Sequence, residues 1–537
     1  MNTIDYMGLK IALDDEKTWD YICKGRNLKG IFQLETESAS NVLKKIKPKN
    51  IKDLSLVNAL NRPGSLKFTE EISLIRDGKK QPEYTHECLE PFLNESYGCL
   101  IYQESVLKIA QKLANFKSTQ SNYLLKALGK KNMDIMKAQK EAFINGMKQN
   151  NYPEDVATKL FAWFEDFANY SFNKSHSISY STMGYISAYI KLHYPLQFFC
   201  SLLNFAQYEQ KPLDEISEII SELPDFGLKI LPPSITKISN KFTIEDGSIR
   251  YPIGLIKGLG DIIFDKLKSI NTSQINSLDG FLESVFTIGL NSRSVESIII
   301  SGGADNLNIP REDVLFYYWF LSELKPDILE RFWTFKNGNL FSQELIFKFL
   351  EYREQVFSKL KQGDLFQQDL INKKLKYKSY FKTETTRIKT LEKVKEYVEL
   401  VKHYKENISF SKFLWETYTL GFSYNCNFSP KIKTFKDLDF LHDDTKANSC
   451  GFVDEVEFKV SAKGNDYAKL KLKFDRKRDI MLFNDVCQSA KGRIKEKSFV
   501  GFGATMKKSK LNVDSIRVMD DVREKIEFYN KKKKNEE

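Results

Sequence analysis

The sequence lacks the features that most directly announce a chemistry. Its seven cysteines (Cys23, Cys88, Cys99, Cys200, Cys426, Cys450 and Cys487) are scattered over 537 residues, with no C-x-x-C pair and no Cys/His spacing suited to zinc. That excludes a disulfide framework and reads as free thiols in a reducing compartment. No signal-peptide apolar region and no run long enough to span a bilayer occurs, so a soluble, cytoplasmic protein with no membrane partner is expected. The Asn-x-Ser matches at Asn173 and Asn427 are then chance. A phosphate loop of the G-x-x-x-x-G-K-[ST] type is absent too: Gly129-Lys130-Lys131-Asn132 has neither its glycine spacing nor its hydroxyl. Any nucleotide site must therefore be of another kind.

What is present begins with size and charge. A formal net charge of +11, from 82 Lys+Arg against 71 Asp+Glu, leaves room for several cored domains and fits a polyanionic partner. The chain is organised around residues 169–195. Asn169 to Tyr180 packs hydroxyls, amides, Lys174 and His176 beside Tyr170 and Phe172, a poor core and a good phosphate or nucleotide surface. A buried helix is predicted next, with Tyr180, Met183, Ile186 and Tyr189 at helical spacing as its packed side. An ordinary Asn/Ser-capped helix start is the competing reading.

In chain order, Thr3 to Met7 reads as a strand running into a helix after Gly8, with Asp5 between Ile4 and Tyr6. A carboxylate inside an apolar strand is costly unless it meets a cation or a donor, which makes Asp5 a candidate metal ligand. From Gly30 to about residue 225 the pattern is helical, interrupted by polar-aromatic clusters at Gly30–Thr36, Ala59–Ser65, Tyr97–Ser105 and Leu124–Lys131. Arg62-Pro63-Gly64 is a turn that projects a guanidinium, and Lys126, Lys130 and Lys131 share nearly one helical face. Both suit phosphates.

The order of these clusters, Phe-Gln-Leu-Glu (32–35), Arg-Pro-Gly (62–64), Tyr-Gly…Tyr-Gln-Glu (97–104), Ala-Leu-Gly-Lys-Lys (127–131) and Tyr-Ser-Phe-Asn-Lys-Ser-His (170–176), closely resembles the fingers of the C-family bacterial replicative polymerases, the alpha subunit of DNA polymerase III. Thr3-Ile4-Asp5-Tyr6-Met7-Gly8-Leu9-Lys10 is similar to that family's palm strand, with Asp5 on its third catalytic aspartate and Thr3 where the family usually has a lysine. The resemblance implies a nucleotide and template site from Arg62, Lys126, Lys130, Lys131, Asn173, Lys174, Ser175 and His176. Leu125-Lys126 replaces the family's usual Arg-Arg, so one bidentate grip is lost.

Downstream, Pro232-Pro233 is a rigid hinge, and Tyr251 to Gly260 reads as a helix-hairpin-helix. There Lys257, Gly258 and Gly260 would bring backbone amides to a duplex phosphate, with Asn291 to Asp305 as a degenerate second half. Gln362-Gly363-Asp364-Leu365-Phe366 is similar to the family's sliding-clamp peptide, with Gln362 for a polar notch, Leu365 and Phe366 for an apolar cleft, and Asp364 between them. Residues 451–518 alternate on period two. Five strands with a helix after the third suit an OB-fold, and Tyr467, Lys469, Lys471 and Lys473 line an outer face for single-stranded DNA. A small barrel used for protein contacts is the alternative.

The expected architecture is multidomain and mainly α, with a C-terminal five-stranded OB-fold barrel. Its parts are a palm remnant (1–25), fingers (26–227), a helix-hairpin-helix and clamp-binding region (228–400), a linker (401–447), the barrel (448–520) and a basic disordered tail (521–537). In the resembled family two Mg²⁺ ions also need an Asp-x-Asp pair. No such pair occurs here in the right setting, and Met1 reads as a genuine start. The expectation is thus the C-terminal half of a split polymerase. A partner chain would supply the PHP domain, most of the palm and the missing carboxylates; the other ligands would be primer-template DNA, dNTPs and a sliding clamp. A non-catalytic, clamp-tethered DNA-binding protein is the alternative.

Overall fold

The computed structural model describes residues 3–518 except 131–132, 168–170, 325–328, 330–331, 334, 338, 340, 350–383, 407, 425–431, 434, 439–440, 462–463, 475–476, 497 and 508–509. The chain divides into two compact units, Met1–Leu202 and Leu203–Glu537.

The first unit opens with a two-stranded hairpin, Thr3–Tyr6 against Leu9–Ala12, in which Tyr6 faces Leu9 across the turn. The helix expected after Gly8 is therefore a second strand. Met7 and Gly8 hold φ of 53° and 85°, the two left-handed residues of a turn whose twist matches antiparallel strands, and Gly8 accepts that conformation without a Cβ penalty. Helix Glu16–Lys24 starts where Asp15 accepts the Thr18 amide at 3.0 Å. Burial alone would raise the Asp15 carboxyl, but donors from Thr18 and His193 outweigh it and hold the group below its ordinary value.

Capped helices Glu37–Ile46 and Ile51–Leu60 follow, then Thr69–Arg76, Gln103–Leu113, Ser118–Lys130, Met133–Gln149, Glu154–Phe167, Lys174–His193 and Pro195–Ala206. One core cluster joins Leu100, Val106, Ile109, Leu124, Phe143 and Phe161, with Phe143 and Phe164 edge to face at 5.3 Å.

The Lys174–His193 helix corrects a sequence expectation. Its buried side is Ser177, Ser181, Gly184, Tyr185, Ala188 and Lys191 with Ile186, whereas Met183 is 40% exposed and Tyr180 and Tyr189 are only half-buried. Small residues win that side because the packing is close: a Cβ at Gly184 would lie 2.9 Å from the Phe32 carbonyl oxygen. The hydroxyls are satisfied locally and across the interface. Ser181 Oγ donates to the Ser177 carbonyl at 2.7 Å, Ser177 Oγ donates to the Ser55 carbonyl at 2.7 Å, and Asn58 Nδ2 donates to Ser181 Oγ at 2.8 Å. Lys191 is fully buried, its ammonium donating to the Asn27 and Lys29 carbonyls at 2.7 and 2.6 Å beside the rings of Phe198 and Phe199.

In the second unit a small sheet, ordered Ile230–Leu231, Ser248–Arg250, Thr243–Glu245, precedes helices Asp261–Lys268, Leu278–Thr287, Ser292–Ile300 and Arg311–Ser322. Arg311 is buried and ties this region to helix Ile408–Leu420. It donates to Asp305 at 2.8 and 2.6 Å, to Glu416 at 2.9 Å and to the Tyr424 hydroxyl at 2.6 Å.

The C-terminal sheet is antiparallel, in the order Lys510–Val518, Phe499–Lys507, Lys446–Val460, Asp466–Lys473, Lys477–Phe483, with helix Asn484–Ala490 after its third strand in sequence. The long first strand pairs on both sides and carries a register shift between Val453 and Glu455, which lets it bend. Ala468, Leu470 and Leu472 are fully buried and Phe474 nearly so, matching the period-two reading. The fold is mainly helical with an OB-like five-stranded end. No helix among the described residues is long and apolar enough to cross a membrane.

Candidate nucleotide and nucleic-acid site

Asn173 sets the geometry. It caps the Lys174–His193 helix, its Oδ1 accepting the His176 amide at 2.7 Å, while its Nδ2 donates to Glu104 Oε1 at 3.0 Å. Glu104 Oε2 accepts the Lys174 amide at 2.8 Å, so one carboxylate clamps both residues at the helix start. The strand-like bridge between Tyr102 and Phe172 holds the two segments in register: Phe172 N donates to the Ile101 carbonyl at 3.1 Å, and Gln103 N donates to the Phe172 carbonyl at 2.9 Å.

The Lys174 ammonium is ion-paired with Glu95 and lies 5.6 Å from the Tyr102 ring centroid. The ammonium bond holds the Glu95 carboxyl below the ordinary carboxylate range, and burial pushes the Tyr102 phenol up to about 12. Lys52 stands 3.6 Å from the other Glu95 oxygen.

Arg62 follows helix Ile51–Leu60 in a turn fixed by Ser65, whose hydroxyl donates to the Ala59 carbonyl at 2.6 Å and whose amide donates to the Arg62 carbonyl at 3.1 Å. Its exposed guanidinium lies 4.2 Å from the Phe172 ring centroid. The His176 ring lies tilted against Tyr180 with centroids 3.8 Å apart, and Phe32 meets Tyr180, also tilted, at 4.9 Å. Four of the five sequence clusters, those of Phe32, Arg62, Tyr102/Glu104 and Phe172–His176, thus converge at the head of one helix.

The other predicted residues are placed as follows. Ser175 is exposed beside His176, its carbonyl accepting from Ser179 Oγ at 3.0 Å. Lys126 is exposed on helix Ser118–Lys130, which packs on Gln103–Leu113 through a Gln111–Ser121 bond of 2.8 Å. Lys130 ends that helix, and Lys131 lies outside the described residues, as do Gln362, Asp364, Leu365, Phe366 and the tail after Val518.

Asp5 is exposed rather than buried in an apolar strand, because the hairpin turns that side of the strand outward. Its Oδ1 accepts the Gly8 amide at 2.8 Å. The hairpin is joined to the Lys174–His193 helix through Tyr185, whose hydroxyl donates to the Ala12 carbonyl at 2.6 Å. Tyr185 lies eleven residues beyond Lys174, about 16 Å of helical rise. No group of three or more His, Cys, Asp or Glu among the described residues could hold a metal ion. The described residues therefore do not fit a two-metal centre by themselves, and Asp5 offers a single exposed carboxylate.

In the helix-hairpin-helix, Gly258 has φ 100° and Gly260 precedes helix Asp261–Lys268. The Lys257 and Leu259 amides already donate to the Thr419 and Ile256 carbonyls at 2.9 and 3.0 Å. Lys257 extends over Tyr418, with its ammonium 4.3 Å from the ring centroid. On the barrel, Lys469 pairs with Asp479 at 2.6 Å, Lys471 with Glu455 at 2.8 Å, and Lys473 with Asp214 at 2.7 Å and Asp454 at 3.4 Å. Tyr467 faces Phe483, which is 52% exposed.

Sequence reading missed Glu104 and Glu95 as parts of the site. Glu104 carries a signal, since it ends the Tyr-Gln-Glu run; nothing local marks Glu95, which meets Lys174 from 79 residues away.

A helical unit of this kind and a helix-hairpin-helix in one chain define a nucleic-acid-handling class, and comparison with known proteins agrees. Residues 2–151 match the bacterial DNA polymerase III alpha subunit finger domain, and residues 227–314 match a helix-hairpin-helix motif. The DNA polymerase III subunit alpha of Bacillus subtilis (strain 168) is 36% identical over 309 residues, covering 57% of this chain and 27% of that protein. Its counterpart in Aquifex aeolicus (strain VF5) is 37% identical over 319 residues, covering 58% and 27%, and that of Thermus aquaticus 30% over 303 residues, covering 55% and 24%. Over residues 2–151 the chain is thus similar to the finger domain of the bacterial DNA polymerase III alpha subunits. It spans about a quarter of the length of these curated relatives.

Proposed function

We propose that the chain is the C-terminal subunit of a split replicative DNA polymerase, which transfers dNMP from a dNTP to a primer 3′-OH under template direction. The convergence of Phe32, Arg62, Glu104 and Phe172–His176 at the head of one helix supports this reading most strongly. Arg62 and Lys174 would neutralise the triphosphate or template phosphates, with Asn173 and Glu104 fixing the helix start that presents them. Asp5 would be one of three carboxylates around two Mg²⁺ ions, whose bound form supplies charge stabilisation at the transferring phosphoryl group. The Asp-x-Asp pair, the rest of the palm and the PHP domain would come from a separate chain.

The helix-hairpin-helix loop at Lys257, Gly258 and Gly260 would grip duplex phosphates, the outer barrel face single-stranded template, and Gln362 to Phe366 a sliding clamp. Primer extension with native protein decides the central point. The isolated chain should be inactive and should gain activity when the co-purifying palm-bearing chain is added; robust extension by the chain alone, or a single longer polypeptide in the native preparation, overturns the split. Lys174→Ala should raise the dNTP KM more than it lowers kcat.

A DNA-binding protein without catalysis is the second reading, favoured by the Asp5 carboxylate being engaged by its own turn. It predicts oligonucleotide binding with no extension even after the partner is added.

A further inference from the structure

The end of helix Ile408–Leu420 carries a ring that the core does not use. Across residues 413–420 every side chain is buried except Tyr418, which is 39% exposed. That ring faces Lys257, whose ammonium sits 4.3 Å from its centroid, and the next residue, Thr419, accepts the Lys257 amide on its carbonyl at 2.9 Å. The hairpin loop is thus built from two segments far apart in the chain. The helix end is itself pinned, because buried Glu416 accepts from Arg311 at 2.9 Å, from the Ser423 hydroxyl at 2.6 Å and from the Tyr424 amide at 3.1 Å. A third segment reaches the same loop. Ser294 Oγ donates to the Gly258 carbonyl at 3.4 Å, and exposed Arg293 runs so close that a Cβ on Gly258 would lie 3.5 Å from its Nε.

How Lys257 is held decides what it can bind. Neighbouring lysines turn their charge back onto the protein: Lys268 pairs with Asp265 at 2.7 Å, and Lys266 donates to the Gly289 carbonyl at 2.8 Å. Lys257 and Arg293 have no carboxylate partner among the described residues. A ring face orients an ammonium without cancelling its charge, whereas a carboxylate cancels it. The long lysine stem is then ordered before a ligand arrives, which lowers the entropy lost on binding. Between the two cations lies Gly258, whose φ of 100° and missing side chain leave bare backbone for a phosphate to approach. Resting on the duplex grip proposed above for the helix-hairpin-helix, we infer that Tyr418 is a positioning residue that holds Lys257 toward a duplex phosphate, and that Arg293 is the second cation of the same grip. The duplex site therefore extends past the matched motif, residues 227–314, into the Ile408–Leu420 helix.

The test is fluorescence anisotropy of the full chain with a short labelled DNA duplex across a salt series. Lys257→Ala and Arg293→Ala should each weaken binding several-fold and lower the slope of log affinity against log salt by about one. Tyr418→Ala should weaken binding about two- to fivefold at an unchanged thermal unfolding midpoint, and Tyr418→Phe should restore it. In the Lys257→Ala background Tyr418→Ala should have no further effect, because the ring acts through that ammonium. An equal loss in both backgrounds, a loss that Tyr418→Phe does not restore, or wild-type affinity for Tyr418→Ala while Lys257→Ala is weak, overturns the positioning role and leaves the duplex grip standing. Wild-type affinity for Arg293→Ala alone removes the second cation. Wild-type affinity and salt slope in all three alanine variants overturn both the inference and the duplex grip.

Discussion

The Lys174–His193 helix and the Asp466–Lys473 strand both read from sequence as ligand-bearing elements, and they use their residues in opposite ways. In the strand, the large apolar side chains are inside and the lysines outside, each lysine beside a carboxylate. In the helix, serines, a glycine and a lysine are inside, while His176, Tyr180 and Met183 look outward. The difference teaches that exposure of an aromatic residue is informative only against its packing alternative. A strand of period two has one apolar face and must bury it. A helix packed at close range can satisfy buried hydroxyls through its own carbonyls and leave its rings free for a ligand.

The contrast is broken most severely inside the barrel. Leu470→Ala should cost about 2–5 kcal/mol in denaturant unfolding, because Leu470 is fully buried and a cavity would remain. A loss below 1 kcal/mol would mean that the strand does not carry the core. Next comes the helix: Gly184→Val should destabilise the first unit by about 1–3 kcal/mol, since a Cβ placed there would lie only 2.9 Å from the Phe32 carbonyl oxygen.

Removing a barrel lysine should matter less. Lys471→Ala should change stability by under about 1 kcal/mol, because the Glu455 pair is partly solvated, and should lower single-stranded oligonucleotide affinity by several-fold with a flatter salt dependence. Unchanged affinity would show that Glu455 keeps this lysine from the strand and would remove it from the proposed face.

The smallest effect is one of pH. Glu95 has a lowered carboxyl in the folded state, so its pair with Lys174 contributes fully above the ordinary carboxylate value and is lost as pH falls through the lowered one. Wild type and Glu95→Gln should therefore differ in finger stability near neutrality and converge in acid; a constant difference across that range would refute the pair as the cause.

These cases also mark how much is legible in sequence. The barrel is legible because Tyr467 to Phe474 alternates strictly, and its strands occupy the predicted segments. The finger site is legible through the order of its clusters, although spacing alone selects the wrong side of the helix. Apolar periodicity locates large side chains, whereas close packing is decided by small ones such as Gly184 and Ser181. The Met7-Gly8 turn is missed because one glycine after an apolar run also suits a helix boundary, and the left-handed Met7 leaves no mark in composition. Likewise, the acids beside Lys174 and the barrel lysines come from tertiary pairing, on which period and propensity are silent.

Lys191 has a practical consequence. Its ammonium is enclosed by two carbonyls and two phenylalanine rings, with no exposed surface. An amine-reactive reagent should label the solvent-facing lysines of the intact finger and pass over this one, and trypsin should not cut after it until the fold opens. Labelling at Lys191 thus makes an internal gauge of how much of any preparation still holds its finger closed.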